Sequence, residues 1–250
     1  MRIINAHCHL GHDYVFDEEE TEEHLLEWHD KYNINTAIVQ PFVSRPYIED
    51  MQSYHDRINA LCLKYPGKFY GMASINPHIR PEEYYKEAVR CIKELNFVGI
   101  KITPIAHAVN PASKDGLYVF EVATELKTPV MVHTGSGAPF SDPVILISVA
   151  ESFREIPIVL AHGGTDLLFA QALYLAEKFD NVYLEPSWLN VLNLRKALGR
   201  VGAKKIMFSS DHCINIPVEL AKYKVLLEGK PELEQALGLT AAMVFGLDKR

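Results

Sequence analysis

Eight short β-branched or apolar runs recur from one end of this chain to the other, and their spacing constrains the fold more than any other feature. They begin near Ile3 (IINAH), Thr36 (TAIVQP), Phe69 (FYGMASI), Val98 (VGIKI), Pro129 (PVMVH), Pro157 (PIVLAH), Val182 (VYLEP) and Lys205 (KIMFSSD). Successive starts lie 23 to 33 residues apart, room for one crossover helix and its two connections each time. The segments between them carry helical spacing. After Pro81, a residue that a first helical turn tolerates, the stripe Tyr85, Ala88, Val89, Ile92 and Leu95 is expected to face the sheet.

Eight parallel units can close into a ring or lie open as a doubly wound sheet. The polar residues decide between them. His7, Lys101, His133, His162 and Asp211 end the first, fourth, fifth, sixth and eighth runs, whereas an open sheet gathers its functional groups at one switch point. Only a closed ring brings all those ends together, so the expected fold is an α/β (β/α)₈ TIM barrel, a single domain over residues 1–250.

Composition narrows the function by exclusion. A net charge of −7, a pI near 5.9 and the lack of any basic block argue against nucleic-acid or membrane-surface partners. The opening MRIINAHCHL is too polar for a secretory leader, and no apolar run approaches the ~20 residues of a membrane span. A cytoplasmic protein acting on a small molecule is the expectation. Cys8, Cys62, Cys91 and Cys213 lack CxxC spacing and read as reduced thiols. The acidic run from Asp17 to Glu23 reads as a solvated helix start.

His7 and His9 are two apart on the first strand, so period-two alternation points both imidazoles to one side, the barrel interior. His133, His162 and Asp211 end later strands at the edge where barrel enzymes place their catalytic groups. Through His7-Cys8-His9, Val132-His133-Thr134, Ala161-His162-Gly163-Gly164 and Ser209-Ser210-Asp211, the chain resembles the amidohydrolase superfamily over nearly its whole length. It is most similar to the compact amidohydrolase-related branch that contains aminocarboxymuconate-semialdehyde decarboxylase and the lactonases for dicarboxylated pyrones.

That resemblance implies that His7, His9, His133 and Asp211 bind one metal ion while His162 serves as acid or base. Neutral imidazoles with one carboxylate suit zinc, with manganese left open, and a position free for water lowers that water's pKa toward ~7. Asp211 would orient or deprotonate the water, and His162 would bond the substrate oxygen or shuttle the proton. Lys101 has two functional readings: a carboxylated lysine bridging two metals, or an ammonium that attracts an anionic substrate, the latter favoured because the branch is mostly mononuclear. Related chains often read Lys-Leu-His-Pro there, whereas this one has Lys101-Ile102-Thr103-Pro104.

Arg45, after the second run, is a candidate clamp for a substrate carboxylate. Glu185 and Trp188 either line the pocket or pack and cap the next helix. His12, His78, His107 and His212 read as surface or outer residues, and His24, His29 and His55 as structural. The leading expectation is hydrolysis of a small anionic amide, lactone or ester by a metal-activated water. The alternative is non-oxidative decarboxylation of an unsaturated or aromatic acid on the same ligands, and a metal-binding barrel without catalysis ranks third. The loops 42–51 and 134–143 carry no readable substrate signature, and their shortness leaves room for a homo-oligomer whose neighbour completes the pocket.

Overall fold

The parallel ring expected from the eight runs forms, although its staves are unequal. The computed structural model describes residues 1–137 and 139–249, so residue 138 of the loop 134–143 lies outside the described residues. Strands Ile4–His12, Thr36–Pro41 and Phe69–Gly71 pair in parallel order, and Ala73–Ser74, Ile100–Ile102, Val130–His133, Ile158–Ala161 and Val182–Glu185 continue the ring. Met72 joins the two halves of the third stave by donating to Val39 O at 2.9 Å. The eighth run makes bridges rather than a ladder. Ile206 pairs with Leu184 and Asp211 with Cys8, while Ala6 N–H donates to Phe208 O at 3.0 Å, which closes the ring.

Alternation along each stave sorts the side chains into two packed regions. Ile100, Ile102, Val130, Val132, Ile158 and Leu160 face the helices, and Ile38, Met72, Met131, Val159 and Met207 fill the barrel interior. The last helical segment, Thr240–Val244, and the residues after it seal the lower mouth, where Ala241, Phe245 and Leu247 join that inner cluster. Above the apolar layer the inward positions turn polar: His7, Gln40, Lys101 and Glu185 are all fully or almost fully buried. The fold therefore concentrates buried polar groups at the C-terminal rim of the strands.

Three sequence expectations shift in detail. The stripe after Pro81 holds at Ala88 and Ile92, which are buried, and at Val89 and Leu95, which pack partly buried against the core, but Tyr84 rather than Tyr85 takes its first place, and Tyr85 is exposed with its hydroxyl on Glu125. The helix Pro81–Val89 widens into a π-helical turn at Arg90–Glu94, so a strict 3.6-residue count does not carry through. The acidic run is more than a solvated helix start. Glu19–Glu20 pair antiparallel with Gly11 and His12, Glu20 is buried, and the helix Glu22–Lys31 begins only after Thr21, whose side chain accepts from His24 N–H.

Candidate metal centre

The first strand supplies two imidazoles whose tautomers are set by their other nitrogens. His7 is fully buried, and its Nδ1 faces Glu185 Oε2 at 2.7 Å, so Nδ1 carries the proton and Nε2 presents a lone pair. His9 turns Nδ1 toward the Pro41 carbonyl at 3.4 Å, which likewise leaves Nε2 as the free acceptor. The two Nε2 atoms stand 3.0 Å apart, and Asp211 Oδ1 lies 3.1 Å from His9 Nε2 and 3.3 Å from His7 Nε2. Two lone pairs and an anionic oxygen thus converge on one point, an arrangement that repels unless a cation fills it. Ligands ~2.1 Å from a divalent ion sit roughly 3.0–3.4 Å from one another at angles near 90–110°, so the triangle has the dimensions of three metal donors.

Electrostatics point the same way. Burial, reinforced by the Lys101 ammonium, pushes His7 down to about 3, and it stays neutral through the physiological range. Burial alone would raise the Asp211 carboxyl, yet His162, His7 and His9 together hold it well below the usual carboxylate range. Neutral imidazoles and an ionised carboxylate are the forms that bind a cation.

Glu185 is the support that sequence reasoning left undecided. Its carboxylate accepts from His7 Nδ1, from Ser187 N–H at 2.8 Å, from His162 N–H at 3.2 Å and from the Ser209 hydroxyl. Burial opposes its ionisation, but His7, His162 and Ser209 outweigh that and keep it anionic. His7, His162 and Glu185 also lie close enough to suggest a second ion, but every oxygen of Glu185 is already engaged. The His55, Glu87 and Cys91 group is saturated too, by His55 Nδ1, Gln52 and Arg90 on the carboxylate and by Ser74 N–H on His55 Nε2. Among the described residues, the triangle of His7, His9 and Asp211 is the cluster with open donor atoms.

The other expected site residues fall at different distances from it. Lys101 is 2% exposed, its Nζ is 3.2 Å from His7 Nε2, and burial lowers it to about 8. His162 is buried with Nδ1 on the Ser187 hydroxyl at 2.8 Å, and its ring centroid is 5.2 Å from that of His7. Burial first, with His162 and Lys101 adding, takes His133 down to about 3. Its Nε2 donates to Ser136 O at 2.8 Å, so this atom is turned away from the triangle, while the ring packs 4.7 Å from His162. Trp188 donates from Nε1 to Asp211 Oδ2 at 2.7 Å. Arg45 is exposed and stacks over Tyr14 at 4.4 Å, outside the residues that line the cleft.

A cleft of about 450 Å³, including its open mouth, lies over the triangle and is lined by His9, Phe42, Lys101, His133, His162 and Asp211 among others. Sequence reasoning missed Phe42, whose ring stacks on His9 at 4.4 Å and 7°, and it gave no weight to Glu18, which lines the cleft and pairs with His212 at 3.3 Å. A phenylalanine directly after a strand was the only available signal for the first, and none existed for the second. The backbone itself is strained here: His162, Trp188 and Asp211, each ending or following a strand, have φ of 63°, 70° and 64°.

Comparison with known proteins agrees with this reading of the fold. The family model described as Amidohydrolase matches residues 4–247. The 2,6-dihydroxybenzoate decarboxylase from Rhizobium superposes with a TM-score of 0.81 at 16% identity, covering 99% of this chain and 100% of that one. A dihydroxybenzoic acid decarboxylase from Polaromonas, solved with manganese and 2-nitroresorcinol, gives 0.80 at 18%, covering 100% and 98%. The 5-carboxyvanillate decarboxylase from Sphingomonas paucimobilis gives 0.79 at 14%, covering 98% and 99%. At these identities the likeness establishes the barrel. No helix among the described residues is long and apolar enough to cross a membrane.

Proposed function

The chain belongs to the amidohydrolase family, and on that premise we propose that it is a metal-dependent enzyme that removes carbon dioxide, without redox chemistry, from a small aromatic or unsaturated carboxylic acid. The observation that carries the proposal is Lys101. It is a buried ammonium with no carboxylate within ion-pair distance among the described residues, and its hydrogen-bond partner is the His7 Nε2 lone pair. An ion bound to that nitrogen takes the partner away. A buried cation left alone is costly, and an entering carboxylate is the group that satisfies it.

His7, His9 and Asp211 would hold a single ion, and His133 on the adjacent wall, its Nε2 held by Ser136 O, would have only Nδ1 to offer as a fourth donor. Zinc and manganese both suit two imidazole nitrogens and a carboxylate oxygen. When bound, the ion supplies positive charge that fixes and polarises the oxygens of an acidic substrate. Lys101 holds the substrate carboxylate, and Phe42 and Val43 offer an apolar wall to its carbon skeleton. His162, held by Ser187 Oγ and Glu185, places a proton on the carbon that loses the carboxylate. Burial keeps His162 below its ordinary value, so it is neutral at rest and takes up that proton as substrate enters.

Hydrolysis, the reaction expected first from sequence, stands behind this reading because most of the neighbours whose barrels match over their full length are decarboxylases, of 2,6-dihydroxybenzoate, dihydroxybenzoic acid and 5-carboxyvanillate, although a chain from Staphylococcus aureus described as an amidohydrolase matches as well. The test is a panel of carboxyl-labelled hydroxybenzoates and unsaturated acids incubated with manganese- or zinc-loaded protein. Labelled carbon dioxide is expected in equal amount with the decarboxylated product, and chelator should abolish it. Cleavage of esters or lactones with no carbon dioxide from any acid would overturn the assignment.

A further inference from the structure

The cleft over the donor triangle carries opposite charge at its two ends. At the floor, Lys101 lies beside His7 Nε2, and it is the one lysine or arginine among the described residues that line the cleft. Thr103, two residues on and so on the same side of the chain, adds a neutral hydroxyl that has no hydrogen-bond partner among the described residues. Arg45 stays outside the lining, stacked on Tyr14.

The mouth is the reverse. The strand Ile4–His12 turns back into Glu19–Glu20, and the two residues at the base of that turn, Asp13 and Glu18, are acidic and both line the cleft. Asp13 N–H donates to Glu18 O at 2.7 Å, which holds the two abreast. Asp13 is 4% exposed; its Oδ1 accepts from the N–H groups of Val15 and Phe16 at 2.7 and 2.9 Å, and its Oδ2 has no partner among the described residues. Glu18 sets Oε2 3.3 Å from His212 Nε2 and leaves Oε1 without a partner among the described residues. A carboxylate oxygen so little exposed is costly without a donor, and the cleft is the side from which a donor can reach it.

We propose that this cleft selects monocarboxylic acids that carry a neutral hydrogen-bond donor, a hydroxyl or an amine, away from the carboxylate, and that Asp13 and Glu18 turn away a second carboxylate. The inference rests on the decarboxylase reading above and names its substrate class. Lys101 on the floor takes one carboxylate, and Phe16, Phe42 and Val43 offer apolar contact to the carbon skeleton between the two ends. A hydroxyl or amine arriving at the mouth donates to Asp13 Oδ2 or Glu18 Oε1, a bond strengthened by the charge of the acceptor. A carboxylate arriving there has no proton to give and meets two anions, while Arg45 is engaged on Tyr14. Without the acidic pair the preference would run the other way, because a lysine and a bound divalent ion attract a dianion more strongly than a monoanion. Discrimination against dicarboxylates is therefore the signature of the mouth.

The test is calorimetric binding to manganese-loaded protein of acids matched in ring and position: 3-hydroxybenzoate against isophthalate, and 4-hydroxybenzoate against terephthalate. In at least one pair the hydroxy acid is expected to bind about tenfold or more tightly than the dicarboxylate. A ratio below that in both pairs, or no binding by any of the four acids, overturns the proposal. Combining Glu18→Gln with Asp13→Asn removes both charges and keeps an acceptor at residue 13 for the N–H groups of Val15 and Phe16. The ratio should then fall about fivefold or more, and a smaller fall in the folded variant overturns the proposal. The wild-type comparison decides the matter by itself if the double variant does not fold. Binding is read without turnover, so the expected ratio with no carbon dioxide from any acid would strike the reaction assigned above, whereas carbon dioxide released as readily from dicarboxylates as from hydroxy acids would strike the substrate class alone.

Discussion

Asp211 hangs from the strand that bears the histidines it faces: its backbone N–H donates to His7 O at 2.9 Å, while its side chain reaches the Nε2 atoms of His7 and His9. Residues 204 positions apart are thereby placed by the bond that helps close the barrel. Asn5 reinforces the join, accepting from Ser210 N–H at 3.0 Å and donating to Ser210 Oγ at 2.8 Å. The donor triangle is a consequence of ring closure and does not depend on a flexible loop.

Loss of a triangle member should therefore remove the ion without unfolding the barrel. His9→Ala and Asp211→Asn are each expected to lower metal affinity by more than about 100-fold, beyond the range typical of outer partners. Plasma emission spectrometry should find one ion per wild-type chain and almost none in either variant, with far-ultraviolet circular dichroism unchanged. Two ions per wild-type chain would instead favour a carboxylated Lys101.

Glu185→Gln tests the support behind His7. An amide can donate where the carboxylate accepted, so the His7 tautomer that offers Nε2 to the ion loses its anchor. Metal affinity measured by calorimetry is expected to fall about 10–100-fold. An unchanged affinity would mean that Glu185 serves only to pack the strand ends.

Lys101→Met separates stability from function. Removing a buried ammonium that has no carboxylate within ion-pair distance among the described residues should stabilise the metal-loaded protein by about 1 kcal/mol or more in urea denaturation. The same change should weaken binding of a carboxylate inhibitor by about 2 kcal/mol or more. A variant that is less stable and binds the inhibitor normally would contradict the role given to Lys101.

His29 provides a pH dependence away from the metal centre. It is 1% exposed, its Nδ1 donates to Leu25 O at 2.6 Å, and its Nε2 accepts from Asn5 Nδ2 at 3.0 Å. Burial lowers it from 6.5 to about 4. The neutral form is the one the fold accepts, so its contribution is complete above pH 6.5 and is lost as pH falls from there through 4. The shift corresponds to about 3 kcal/mol. Between pH 7 and 4, wild type should lose more unfolding free energy than His29→Gln, and equal losses would show that His29 is not the group responsible.

The fold and the shared side of His7 and His9 were legible in the chain because both follow from period, strand runs at regular intervals and two histidines two residues apart, whereas grouping Asp211 with them came from the resemblance carried by Ser209-Ser210-Asp211. His162 and Lys101 were legible because each closes an apolar run in the sequence, although Lys101 lies within the strand Ile100–Ile102 and His162 opens the turn after Ile158–Ala161. Glu185 could not be weighed, since its role depends on Ser187, Ser209 and His162 arriving from three segments to satisfy one buried carboxylate. Arg45 could not be placed, because a loop arginine that stacks on Tyr14 looks in sequence like one that reaches a substrate. Tyr84 and Tyr85 are adjacent tyrosines in the helix Pro81–Val89, and residue type alone does not say which of the two turns inward.

The left-handed backbones at His162, Trp188 and Asp211 bear on how the rim is held together. A polypeptide selected only to fold would place glycine at such positions, where the absence of a Cβ relieves the strain. At His162 and Asp211 the strain is set instead against the hydrogen bonds that their side chains make to Ser187 and Trp188, so the rim's reactive groups and its backbone shape are held by the same contacts.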